Sequence, residues 1–130
     1  NIYSFTNELI KKFKINIMIT QGFKKVDVFE SFKNKYFKNK KKLTINKKNI
    51  YLIDKSSFRD LENIVKHCKF LICCEGAISH VSHSLGIKTI ALVQKNRQTI
   101  NKFWTGHMNN IHLIERDKIN KVKKNLVKYV

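Results

Sequence analysis

The residues best suited to chemistry are the run Glu75-Gly76-Ala77-Ile78-Ser79-His80. Gly76 and Ala77 are small, so backbone amides there can approach a phosphate closely, and Ser79 and His80 add side-chain donors within the next turn. The start of a helix favours an anion by about 0.3–1 kcal/mol, and Glu75 supplies an acceptor for hydroxyls. Anion donors beside a hydroxyl acceptor suit a ligand carrying both groups, such as a nucleotide sugar. A plain helix entry followed by a surface histidine would use the same residues, and spacing alone does not separate the two. A second candidate is the turn after Ile53, where Asp54, Lys55, Ser56 and Ser57 follow an apolar run.

Both turns need a strand before them and a helix after. Phe70 to Cys74 (FLICC) is continuously apolar, the pattern of a strand covered on both faces. Ala77, Ile78, Val81 and Leu85 then recur at helical spacing, and Gly86 is placed to end that helix in a left-handed cap. Thr89 to Val93 predicts another buried strand, and Ile111 to Ile114 a short one after it. Upstream, Phe5, Leu9, Ile10 and Phe13 predict a helix capped by Ser4 or Thr6, and Ile15, Ile17 and Ile19 a strand. Val26 to Phe37 predicts a second helix. Lys38 to Lys48 reads as an exposed lysine-dense connection with a short strand at Leu43 to Ile45, and Ile50 to Ile53 as a further strand. Ser56 or Ser57 would cap a helix carrying Phe58, Leu61, Ile64, Val65 and Cys68, and Asp117 one carrying Ile119, Val122, Leu126 and Val127. Strand and helix thus alternate about five times with short links, which predicts an α/β fold: a Rossmann-like parallel sheet with helices on both faces. In such sheets ligands bind beyond the carboxyl ends of the strands, where both candidate turns fall. No linker or repeat interrupts the pattern, so residues 1–130 are expected to form one domain.

The composition of the 130 residues, 42% hydrophobic and 11% aromatic, excludes a disordered tail. The net charge of +18 points to phosphate-bearing partners or an anionic membrane. The 24 Lys, 14 Asn and 17 Ile rise together, however, as an AT-rich coding bias would produce, so the surplus also has a compositional reading. Lys33, Lys35, Lys38, Lys40, Lys41, Lys42, Lys47 and Lys48 form an acid-free patch with Tyr36 and Phe37 interleaved. A basic nucleic-acid-binding α/β domain is therefore an alternative, although recognition-helix, zinc-finger and RNP patterns are absent and nucleic acid is not the expected partner. Contact with anionic lipid headgroups is another use for that patch. Gly22, Gly76, Gly86 and Gly106 are too dispersed for a GxGxxG motif or a P-loop. Cys68, Cys73, Cys74, His80 and His83 crowd one region. Neighbouring strand residues such as Cys73 and Cys74 point to opposite faces, so no metal site is expected. Nor does anything mark a cysteine as an activated nucleophile. Three cysteines make no disulfide framework and fit a reducing compartment. No apolar run approaches the ~18 residues of a membrane span. With Asn1 first and no secretory signal, the chain is expected to be a piece of something longer.

The stretch from Ser56 to Val93 resembles the C-terminal domain of glycosyltransferase family 9, the heptosyltransferase-like enzymes. That family carries an Asp-Ser/Thr/Gly-Gly-Pro-x-His turn. With the register fixed on His80 and on Leu85-Gly86, Glu75 takes the Asp position and Gly76 the Ser/Thr/Gly position. Ala77 and Ile78 take the Gly-Pro pair, and Lys88 stands where a proline usually precedes the next strand. Gln94 to Gln98 departs from the family's Gly-Pro-Thr-Asp-Pro-like phosphate loop. The likeness covers about 40 residues closely and the rest through element order alone. It implies a GT-B arrangement of which this chain is the C-terminal, donor-binding half. The catalytic base would then belong to an N-terminal domain, and this chain alone would be inactive. Glu75, Gly76, Ala77, Ile78, Ser79 and His80 would contact the donor's diphosphate and sugar, while Ile53 and Asp54 would border the nucleotide base. The implied reaction transfers a sugar, heptose-like or other, from a nucleotide sugar to lipopolysaccharide or another surface glycan. It needs no metal or other cofactor, and would run in the cytoplasm or at the inner face of the membrane. Another GT-B relative, of the pyruvyltransferase or epimerase type, is the alternative within the same fold.

Overall fold

The leading apolar residues form helix α1 (Ile2–Phe13), which buries Thr6, Leu9 and Ile10 on one face. The helix begins earlier than a cap at Ser4 or Thr6 implies. Thr6 Oγ1 lies inside it and donates to the Ile2 and Tyr3 carbonyls, both at 3.0 Å, while Ser4 Oγ reaches Glu8. The computed structural model describes residues 2–116 and 124, so the helix expected after Asp117 lies outside the described residues. The chain divides into two units, Asn1–Phe58 and Arg59–Val130.

In the first unit, β1 (Ile17–Thr20) pairs parallel with β3 (Lys48–Ile53), and β2 (Lys42–Ile45) pairs antiparallel with β3, in the order β1-β3-β2. This mixed sheet corrects the all-parallel expectation. Ile45 and Lys48 face each other with only Asn46 and Lys47 between them, and a hairpin that short forces antiparallel pairing. Helix α2 (Asp27–Phe32) continues into a wider π-type turn, Lys33–Phe37, which ends at left-handed Lys38. The turn supplies Phe37 to a core of Ile10, Phe29, Phe32, Ile50 and Leu52, and sets Tyr36 against Tyr3 with ring centroids 4.2 Å apart.

The second unit follows as α3 (Phe58–Lys66, whose first residue closes the first unit), β4 (Phe70–Cys74), α4 (Ala77–Ser84), β5 (Lys88–Val93), α5 (Gln98–Thr105) and β6 (Ile111–Glu115). It is α/β, with a parallel three-stranded sheet in the order β4-β5-β6. Central β5 buries Thr89, Ile90, Ala91 and Val93. FLICC does not have the two-sided cover its composition implies. As β4 it is an edge strand of this sheet, half-buried from Phe70 to Cys73 and exposed at Cys74, because it pairs with β5 alone. Gly86 ends α4 as its sequence position predicts. At φ 68° it lets its own N–H reach the His83 carbonyl and that of Ile87 reach the Ser82 carbonyl, each at 2.9 Å.

Beneath α4 runs a polar seam. Fully buried Ser82 donates to the Ser79 carbonyl at 2.8 Å and accepts from Thr89 Oγ1 at 2.7 Å. Asn110 Nδ2 donates to the Ile87 carbonyl at 2.9 Å, and its Oδ1 meets His83 Nδ1. His83 is thereby tied to Asn110. Among the described residues no three His, Cys, Asp or Glu side chains are grouped to hold a metal ion, and no helix is long and apolar enough to cross a membrane.

Candidate functional site

The mouth of α4 lies at the carboxyl end of the parallel sheet, directly after β4. Gly76 opens it at φ 149° and ψ −172°, a backbone conformation open essentially to glycine alone, with no heavy atom within 4 Å of the place a Cβ would take. Its carbonyl is bound twice, by the Ser79 N–H at 3.0 Å and by Ser79 Oγ at 2.6 Å. No side chain caps the helix, and the N–H groups of Gly76, Ala77 and Ile78 have no acceptor among the described residues. Free amides at a helix start are donors and carry the positive end of the helix dipole. Gly76, Ala77 and His80 are exposed, and Ile78 is half-buried. Ser79 is only 2% exposed, and its hydroxyl is spent on the Gly76 carbonyl.

Glu75 is held by a residue that pattern reading overlooks. Arg116, the first residue after β6, brings Nη2 to 2.8 Å from Glu75 Oε2, while its Nε donates to the Leu92 carbonyl at 3.2 Å and its N–H to that of Val93 at 3.0 Å. Burial raises the Glu75 pKa, but the guanidinium of Arg116, the residue's own backbone and the charge of Arg97 outweigh it and hold the carboxyl below its usual range. Glu75 in turn raises the pKa of Arg116. Arg97 ends the short helical turn Lys95–Arg97 that follows β5. Three consecutive strands thus deliver Glu75, Arg97 and Arg116 to one end of the sheet. The signal for the two arginines is the strand-end rule itself: each stands just past the carboxyl end of a parallel strand.

In the first unit, Ile53 and Asp54 belong to a closed network. Gln21, 6% exposed, donates its N–H to the Ile53 carbonyl at 3.0 Å and its Nε2 to Asp54 Oδ1 at 3.1 Å and to Glu30 Oε1 at 2.8 Å. Lys33 Nζ bonds Asp54 Oδ2. Lys33 first, then Gln21, pull the Asp54 carboxyl below its ordinary pKa against the opposing effect of burial. Ser56 Oγ donates to the Gln21 carbonyl at 2.8 Å, a tie between loops in place of the cap its position suggests. Asp54 therefore already has partners on both carboxylate oxygens.

Two of the three cysteines are thiols shifted by burial. Burial first, then the neighbouring Cys74 and Glu75, push the Cys73 thiol up to about 12, so it stays protonated at neutral pH. Burial also raises Cys68, whose Sγ donates to the Ile64 carbonyl at 3.2 Å. No protein-family model, curated protein or solved structure matches the chain.

Proposed function

We propose that the α4 mouth seats the diphosphate of a nucleotide sugar, and that the chain is the donor-binding half of a GT-B glycosyltransferase. The observation that supports this reading is the mouth itself: an unobstructed glycine, three amides without acceptors among the described residues, and two arginines at the same end of a parallel sheet. Amides and guanidiniums there would neutralise a diphosphate on binding. They would stabilise it again as a leaving group when an acceptor displaces it at the anomeric carbon. Exposed His80 would add a donor on the first turn. Glu75 would accept a sugar hydroxyl once Arg116 turns to phosphate.

The edge position of β4 removes the doubly covered strand from the family likeness. The diphosphate seat rests on amides and arginines, and stands without it. Calorimetric titration of the chain with ADP- and UDP-sugars, beside adenosine and uridine, tests the reading. The diphosphate sugars should bind at least about tenfold more tightly than the nucleosides, since charge-assisted bonds to phosphate are worth upwards of about 1.5 kcal/mol. His80→Ala should weaken the sugars alone. Equal affinity for both sets of compounds, or no binding of the sugars at millimolar concentration, would remove the site.

A further inference from the structure

The first unit holds a cleft of about 460 Å³ between the end of α1 and the β2–β3 turn, lined by Ile10, Lys11, Lys14, Asn46, Lys47 and Lys48. Two separate segments therefore line one concavity with four lysines. Among the described residues none of these lysines forms an ion pair. The ion-paired carboxylates of this unit, Glu30 and Asp54, both face Lys33 instead. A cleft lined by charge of one sign, with Ile10 as apolar wall, concentrates the field and attracts an opposite charge.

The backbone of the cleft supplies a handle for a test. Lys14, Asn46 and Lys47 have φ of 52°, 50° and 62°, the left-handed region where a lysine is strained and glycine is not. Asn46-Lys47 fills a two-residue hairpin turn in which Asn-Gly would be the relaxed choice. Lys38, Asn39 and Lys55 share that conformation away from the cleft, so the proposal stands on the lining and the strain serves its test. Lysine abundance alone scatters charge over the surface. It does not gather lysines from two segments onto one cleft.

We propose that this cleft binds a compact soluble ligand bearing two or more adjacent phosphate groups, at a site separate from the α4 mouth. The probe is inorganic tripolyphosphate, titrated at roughly physiological salt so that diffuse charge is screened beyond about 8 Å. All variants carry Arg97→Gln and Arg116→Gln, which take away both guanidiniums of the α4 mouth. Lys11→Gln with Lys47→Gly should lower affinity about tenfold, as expected for loss of two charge-assisted partners. Lys38→Gln with Lys40→Gln removes the same charge from exposed lysines that do not line the cleft, and should lower it less than about twofold. Lys47→Gly alone should raise the thermal midpoint while weakening binding, a combination that a purely structural lysine would not give. Equal losses in the two double variants, or no loss in either, would overturn the proposal, as would absence of tripolyphosphate binding to a chain that circular dichroism shows to be folded.

Discussion

Replacing Arg116 with glutamine distinguishes a structural ion pair from a waiting anion ligand. The Arg116 and Glu75 side chains are 48% and 27% exposed at a separation of 2.8 Å. A pair this open to solvent contributes no more than about 1 kcal/mol to folding, so Arg116→Gln should cost that much or less in a urea titration. Binding is different. A guanidinium hydrogen-bonded to phosphate contributes about 1.5–3 kcal/mol. Giving up Glu75 takes back up to about 1 kcal/mol of that. The remainder, about 0.5–2 kcal/mol, corresponds to a roughly two- to thirtyfold rise in Kd for pyrophosphate or a nucleotide sugar, read by calorimetry. Glu75→Gln releases the same guanidinium without removing it, and should tighten pyrophosphate binding by roughly two- to fivefold. For a nucleotide sugar the gain should shrink, because the amide is a poorer acceptor for sugar hydroxyls. An unchanged Kd in Arg116→Gln would refute the reasoning. So would a stability loss well above 2 kcal/mol, which would mean that the pair holds β4 to β6 and has no anion to wait for.

Gly76→Ala tests the backbone of the mouth separately. Its Cβ would meet nothing within 4 Å, so the expected loss of about 1–3 kcal/mol is conformational strain at φ 149°, and denaturant unfolding showing under about 0.5 kcal/mol would mean the turn relaxes freely. Cys73 sets an alkaline limit. A thiol raised to about 12 in the folded chain, against an ordinary value of 9.0, contributes stability that is complete below pH 9 and lost as pH rises through 12. Its share should decline by about 1.4 kcal/mol per pH unit in that window and disappear in Cys73→Ala, and a variant that loses stability just as steeply would clear the thiol.

Much of the second unit was legible because local rules and tertiary structure agree there. The Leu85-Gly86 pair ends α4, and the apolar runs at FLICC and Thr89 to Val93 are neighbouring parallel strands. The β2–β3 hairpin was hidden because Asn46-Lys47 lacks the glycine that marks such turns, so a lysine-rich segment reads as a loop. Edge and centre were hidden too. An apolar run reports composition, and FLICC owes its half-exposure to having one partner, which no run of residues records.

The α4 helix shows where the pattern of residue types and the packing of a helix part company. Periodicity marks Ile78, Val81 and Leu85 as the inner face, yet these are only half-buried, while Ser79 and Ser82 are 2% and 0% exposed. Small hydroxyl residues let the helix approach β5 closely, and the bonds among Ser79, Ser82 and Thr89 satisfy the groups that approach buries. A serine one turn into a helix thus reads as a ligand donor in one dimension and serves as a spacer in three. The charges follow the opposite logic. Arg97 and Arg116 carry no motif; Arg116 reaches Glu75, and the charge of Arg97 acts on it, because β5 and β6 end close to level with β4. In a parallel sheet the residue after each strand is placed by register, whatever its neighbours in sequence. In a chain this rich in lysine, such positions are better guides to a ligand than the net charge.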